Sequence, residues 1–410
     1  MRDAELCMHT APWVVPVSRP PIAGGGVAVA AGRIVAVDEA EALSQRFPGI
    51  PVEDHPDCAL TPALVNAHTH LELSHLAGLT GEPYPGSFTA WISRLLQWRD
   101  RLGATGEAAE TAAGRVLAEQ YAAGVSVIAD IGNTAIGLHL ATTFAGTLLP
   151  FREYLGLAAF TLDKNSLRLT READTTLCTG HAPYSTHPRL LQQLKARASR
   201  LGHPFPLHTA EPAAEQEMLG CGTGEMVEFV RARGFWDGSF QPSASGDGGS
   251  IRYLDGLGLL DEHTLCVHAI HVDTDEIRLL ADRGAKVCVC PGSNRFLRTG
   301  RAPVQAFLDA GILPALGTDS LASNPHLSLW REMQMLGEDH PAIDPAAIFA
   351  MATRGGAEAL GLGERFGTLE PGRQADLLAV PLPPTAATAA AVHAHLVTGG
   401  DAVAPVRIPS

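Results

Sequence analysis

The stretch Thr61-Pro62-Ala63-Leu64-Val65-Asn66-Ala67-His68-Thr69-His70 runs from a short apolar segment into a pair of imidazoles. On an extended strand, side chains two apart project to the same side, so His68 and His70 would leave the strand end together. Two neutral imidazoles placed this way can hold one divalent metal. In a chain with 17 histidines a bare His-x-His pair also arises by surface chance. What surrounds the pair decides between the two.

From Thr61 onward one unit repeats: a short β-rich apolar run, a polar turn, then a longer Ala/Leu-rich stretch of helical character. The runs fall at 63–67, 126–130, 148–155, 176–180, 205–208, 264–268, 286–290 and 312–317. Helix candidates at 107–123, 188–201, 214–233, 275–283 and 302–310 lie between them. Eight strands alternating with helices predict a closed (β/α)8 TIM-type barrel over 61–365, although doubly wound sheets share the alternation. Residues 1–60 contain two alternating β runs around a Gly turn, Gly24 to Val37, and 366–410 has a similar texture with a strand at 375–380. The two ends are expected to pair in one small β-sandwich domain. The Gly-, Ser- and Asp-rich segment 234–250 reads as a long loop at the rim, of no assigned role.

With 410 residues, 46% of them hydrophobic, the chain can bury a large core. Its 44 acidic against 30 basic residues leave a net charge of -14, which repels a phosphate backbone, so nucleic acid is not expected as a partner. Residues 1–20 lack a basic segment followed by an apolar one, and no uncharged apolar run approaches the ~20 residues of a membrane span. A cytoplasmic protein without a membrane partner is expected. The seven cysteines include no C-x-x-C pair, and Cys288 and Cys290 alternate as core strand residues would, which points to free buried thiols. No G-x-x-x-x-G-K-[ST] occurs, and the Gly-rich run at Gly24 opens no helix, which argues against a nucleotide-dependent enzyme.

Further metal-ligand types end other predicted strands. The fifth closes on Pro206-Leu207-His208-Thr209-Ala210-Glu211, the sixth on Val267-His268 and the eighth on Gly317-Thr318-Asp319. In a barrel these C-terminal ends converge on the face where active sites are built, and this coincidence favours the barrel over the doubly wound sheet. Taken singly, each has an ordinary explanation, such as a core histidine or a helix-capping Asp.

These residues, with Ser320, Ser323-Asn324, Asn294-x-x-Leu297-x-x-Gly300-x-Ala302-Pro303-Val304 and Gly367-Thr368-Leu369-x-Pro371-Gly372-x-x-Ala375-Asp376, resemble the amidohydrolase superfamily over nearly the whole chain. Within it the chain is similar to the branch of adenosine-derivative, guanine and cytosine deaminases and triazine hydrolases. His68-Thr69-His70-Leu71-Glu72 looks most like the aminodeoxyfutalosine deaminases of a menaquinone pathway. The resemblance implies that His68, His70, His208 and Asp319 bind one divalent metal, zinc or else iron(II), with His268 beside it. It also implies catalytic roles for Glu211, His268 and Asp319, and a substrate contact for His181. The chain's lysines are Lys164, Lys195 and Lys286, none at the fourth-strand end, so the carboxylated Lys of binuclear relatives is missing and a mononuclear site is implied.

The expected reaction is hydrolytic removal of the exocyclic amino group of a purine nucleoside derivative, with 6-amino-6-deoxyfutalosine the leading candidate. S-adenosylhomocysteine, methylthioadenosine, guanine, cytosine or a triazine would suit the same centre, and a silent amidohydrolase-like scaffold is the non-enzyme alternative. Substrate contacts are expected from Glu72, Arg152, Glu153, His181, Ser320 and Asn324. Arg152, Arg295, Arg298 and Arg301 are taken as candidates for capture of a substrate carboxylate, for which a planar guanidinium fork is suited. The partner is thus a small molecule, and a homodimer is compatible with the sequence.

Overall fold

A computed structural model describes residues 6–239 and 248–409. The chain opens with five strands: β1 (Cys7–Val14), β2 (Ile22–Ala30), β3 (Arg33–Glu39), β4 (Val52–Asp54) and β5 (Cys58–Pro62). Eight follow in the α/β part: β6 (Leu64–Thr69), β7 (Val125–Gly132), β8 (Thr147–Tyr154), β9 (Cys178–Gly180), β10 (Phe205–Thr209), β11 (Thr264–His268), β12 (Lys286–Val289) and β13 (Ala315–Leu316). The last two are β14 (Leu377–Pro381) and β15 (Val406–Ile408).

The two chain ends do pair, because β14 runs antiparallel to β5 from Leu377 opposite Pro62 to Pro381 opposite Cys58. The β2–β3 hairpin turns through Ala31 and Gly32, both left-handed, the backbone hand that matches the twist of the flanking strands. Instead of a two-sheet sandwich, the seven terminal strands form one hydrogen-bonded sheet, in the order β15-β14-β5-β1-β2-β3 with β4 beside β1. The reason lies in β1. One edge pairs with β2, while the other serves β4 at Met8 to Thr10 and β5 at Trp13 and Val14, so pairing never breaks. Val14, Val27, Ile34, Leu60, Leu377 and Ile408 form its apolar core.

Each of the eight predicted runs carries one of the strands β6 to β13. They are all parallel but form two four-stranded sheets, β6-β7-β8-β9 and β10-β11-β12-β13, rather than one unbroken ladder. The strands at the seams, β9 and β13, have three and two residues, too few backbone groups for full pairing. At one seam His208 N donates to His181 O at 3.0 Å, and Thr179 Oγ1 donates to Pro206 O. At the other, Thr318 N and Asp319 N both donate to His68 O, and Thr69 bridges to Asp319. Gly317 permits this approach, since a Cβ there would lie 2.8 Å from His68 Cβ.

Helices cover the strands with apolar faces. In Pro188–Leu201, Leu190, Leu191, Leu194 and Ala198 are buried at helical spacing, His187 caps the start and left-handed Gly202 ends it. Of segment 234–250, residues 240–247 lie outside the described residues, and Ser250 already begins the helix Ser250–Gly256. Cys288 and Cys290 are free and buried. Among the described residues no helix is long and apolar enough to cross a membrane.

Candidate active site

His68 in β6, His70 just after it, His208 in β10 and Asp319 just after β13 are buried, and each offers a ligand atom within 4.8 Å of the others. His70 Nδ1 donates to Ile131 O and His208 Nδ1 to His181 O, each at 2.8 Å. With the protons held on Nδ1, both Nε2 atoms carry lone pairs. Those atoms face each other at 3.2 Å. Two lone pairs cannot share a hydrogen bond, so the arrangement calls for a cation between them. His68 is buried with neither ring nitrogen bonded, and its Nε2 lies 3.8 Å from Asp319 Oδ1, which is 3.5 Å from His70 Nε2.

Electrostatics keep these groups in metal-ready form. Burial, followed by the neighbouring imidazoles, holds His68 and His208 well below the ordinary histidine range, so both are neutral. Burial alone would push Asp319 up, but His70, His268, His68 and the Ser293 hydroxyl outweigh it and hold the carboxyl low. Its Oδ2 accepts from Ser293 Oγ at 2.5 Å and Ser323 Oγ at 2.9 Å, which leaves Oδ1 toward the imidazoles. Three imidazoles and a carboxylate with an open side form a donor set that suits zinc or iron(II).

His268, at the end of β11, gives its Nδ1 proton to Asn294 Oδ1 at 2.9 Å, and its unbonded Nε2 lies 3.7 Å from Glu211 Oε1. Burial, then the charges of Asp319 and Glu215, raise Glu211 well above the usual carboxylate range, which favours its protonated form. Glu215 accepts the N–H groups of Ala210 and Glu211 at 2.8 and 3.1 Å and so fixes the turn that aims Glu211. Ala210, His268, Ala269 and Asp319 all adopt left-handed backbone, strain concentrated where the strands hand over to the site.

A cavity of about 370 Å³ opens above these residues. Glu72, Glu153, His181 and Ser320 all line it. Both oxygens of Glu72 are already engaged, Oε2 by Asn133 N and Thr134 N and Oε1 by Arg99 Nη2. Glu153 Oε1 is buried without a partner, the polar atom in the wall most in need of a ligand. His181 Nδ1 is bonded to Ser185 Oγ at 2.6 Å.

Two expected substrate contacts lie elsewhere. Arg152 precedes Glu153 on β8, so strand alternation sends it to the opposite face, where its Nε lies 3.1 Å from Glu172 Oε1. Asn324 is buried behind the wall, spending its amide on Thr318 O and Glu332 Oε1. The other arginines also turn away: Arg295 and Arg301 pair with Asp339, and Arg298 stacks over Tyr84. The guanidinium that does line the cavity is Arg99, on helix Phe88–Leu102, which donates to Glu72 and Asn133. Sequence reasoning missed it because it follows no strand end. It missed the apolar outer wall of Trp91, Ile92, Leu95, Phe160, Phe229 and Phe235 for the same reason.

The sequence pattern of the Amidohydrolase family matches residues 59–403. A 5-methylthioadenosine/S-adenosylhomocysteine deaminase of Nitratidesulfovibrio vulgaris is 33% identical over 385 residues, 89% of this chain and 80% of that protein. The aminodeoxyfutalosine deaminase of Deinococcus radiodurans is 30% identical over 349 residues, 82% of this chain and 81% of that protein. Among solved structures, a zinc-bound adenosine deaminase from Xanthomonas campestris superposes with a TM-score of 0.76 at 26% identity, over 95% of this chain and 88% of that one. The α/β part is accordingly TIM-barrel-like. The chain belongs to the amidohydrolase family of metal-dependent hydrolases that act on carbon–nitrogen bonds.

Proposed function

We propose that the chain deaminates an adenosine-derived nucleoside with the help of one divalent metal, zinc in preference to iron(II), held by His68, His70, His208 and Asp319. The observation that carries this is the pair of lone-pair-bearing Nε2 atoms of His70 and His208, 3.2 Å apart. A divalent ion bound there supplies water acidified to a pKa of about 7. Glu211, whose protonated form is favoured by burial, gives its proton to the ring nitrogen beside the amino-bearing carbon. His268 Nε2, left with its lone pair by the Nδ1 bond to Asn294, and Asp319 take the proton of the attacking water. The proton taken from water passes on to the amino group, which leaves as ammonia, while the adduct's hydroxyl proton returns to Glu211 as the carbonyl forms. Glu153 Oε1 and His181 are assigned to holding the nucleoside. The test is metal analysis of the purified protein combined with ammonia release from adenosine derivatives; a metal-free protein without turnover would sink the proposal in favour of the scaffold alternative.

The apolar outer wall favours a sugar-side substituent that is mainly apolar, as in 5-methylthioadenosine, which the Nitratidesulfovibrio vulgaris relative's name specifies. Arg99 favours a second candidate, 6-amino-6-deoxyfutalosine, provided its guanidinium leaves Glu72 for a substrate carboxylate. In the same proposal residues 61–365 form one (β/α)8 barrel closed at both seams, and 1–60 with 366–410 form a separate unit.

A further inference from the structure

We propose that His9, Glu53 and His55, on the terminal sheet, form a second divalent-metal site for a d-block ion such as zinc, which clips β1 to β4. The three come together through strand register. β1 and β4 are parallel, with His9 directly opposite Glu53, and His55 N donates to Thr10 O at 2.8 Å, extending that pairing by one more bond. His55, two residues after Glu53, therefore returns to the His9 side.

The geometry is that of an ion's coordination sphere. His9 Nδ1 lies 3.3 Å from His55 Nε2. Two nitrogens each about 2.0–2.1 Å from one ion at a tetrahedral angle stand about 3.3–3.4 Å apart. Glu53 brings Oε2 to 3.6 Å from His9 Nδ1 and Oε1 to 4.0 Å from His55 Nε2. His9 presents a buried floor and Glu53 is largely exposed, so the carboxylate can swing in while water completes the sphere. The far nitrogen of His9 faces Cys7 Sγ at 3.9 Å. That contact places a weak partner at Nε2 and leaves Nδ1 for the ion.

Two imidazoles and one carboxylate suit zinc, nickel or copper, whereas magnesium and calcium prefer all-oxygen sites. The ordinary alternative is a single N–H···N bond between His9 and His55, which binds nothing. An ion here would tie together residues 46 positions apart and hold the first strand of the sheet against unfolding.

The experiment is equilibrium dialysis of the holoenzyme against micromolar free zinc, with metal counted per chain. The wild type should take up one equivalent beyond the metal retained by the enzyme as purified. His55→Ala and the surface variant Glu53→Gln should each lose that added equivalent, or more than about tenfold in its affinity, with deaminase turnover unchanged. Added zinc should raise the melting temperature of the wild type and leave that of His55→Ala in place, and magnesium should do neither. Absence of a further equivalent in the wild type, or its retention in both variants, overturns the site. Because the readout is a metal count, failure here is separate from failure of the proposed reaction.

Discussion

Glu211 Oε1 lies 3.7 Å from His268 Nε2, and both side chains are buried. A carboxyl that burial biases toward its protonated form and an imidazole that burial keeps neutral, with no hydrogen bond between them, can attend to different atoms of one substrate. Glu211→Gln removes the transferable proton and no proposed ligand, so the variant should retain its metal and lose ~10²–10⁴ in kcat. Turnover near that of the wild type, measured as ammonia release, would assign Glu211 to packing alone.

His208→Ala removes one of the two facing nitrogens. The wild type should retain one metal per chain through desalting, and the variant should retain none and release no ammonia. Elemental analysis checks both. Two tightly retained ions per chain would contradict a mononuclear centre.

Substrate choice separates the two arginines. Arg152 is held against Glu172 on the outer side of β8, so Arg152→Met should leave the order of kcat/KM among methylthioadenosine, S-adenosylhomocysteine, adenosine, guanine and aminodeoxyfutalosine unchanged. Arg99→Met should lower kcat/KM for a carboxylate-bearing substrate by about tenfold or more while sparing methylthioadenosine. A reordering caused by Arg152→Met would show that it reaches the substrate after all.

Glu332 ties Gly292 N and Asn324 Nδ2 together beneath the site. Burial pushes its carboxyl up to about 8, against the downward pull of those two donors. A folded-state pKa above the unfolded value favours folding at low pH, and that contribution is lost as pH rises from about 4.5 toward 8. Glu332→Gln has no such dependence. The melting temperature of the wild type, relative to the variant, should therefore fall between about pH 5 and pH 9; a difference constant with pH would remove Glu332 as the cause.

The strands and the metal-ligand candidates were legible because both follow from period and position. Apolar runs bounded by turns mark strands, and His68, His70, His208, His268 and Asp319 all stand at strand ends. Side-chain direction and outer pairings were harder. Arg152 was misplaced by a single step of strand alternation, and Asn324 was given to substrate when neighbouring backbone had already claimed it. Arg99 and the aromatic outer wall come largely from helices and loops whose docking no local pattern reveals. The terminal sheet is continuous because one strand edge is shared by two short partners, a tertiary fact.

The two seams give the proposed metal a mechanical meaning. His68 lies in the first parallel sheet with His70 directly after its strand, and His208 lies in the second with Asp319 shortly after its last strand. An ion bound by all four would be a rivet between two four-stranded sheets that backbone pairing joins only sparsely. Removing it should loosen the protein along one line rather than everywhere: amides at the β6–β13 junction would exchange faster with deuterium, while those within β7 and β11 stay protected.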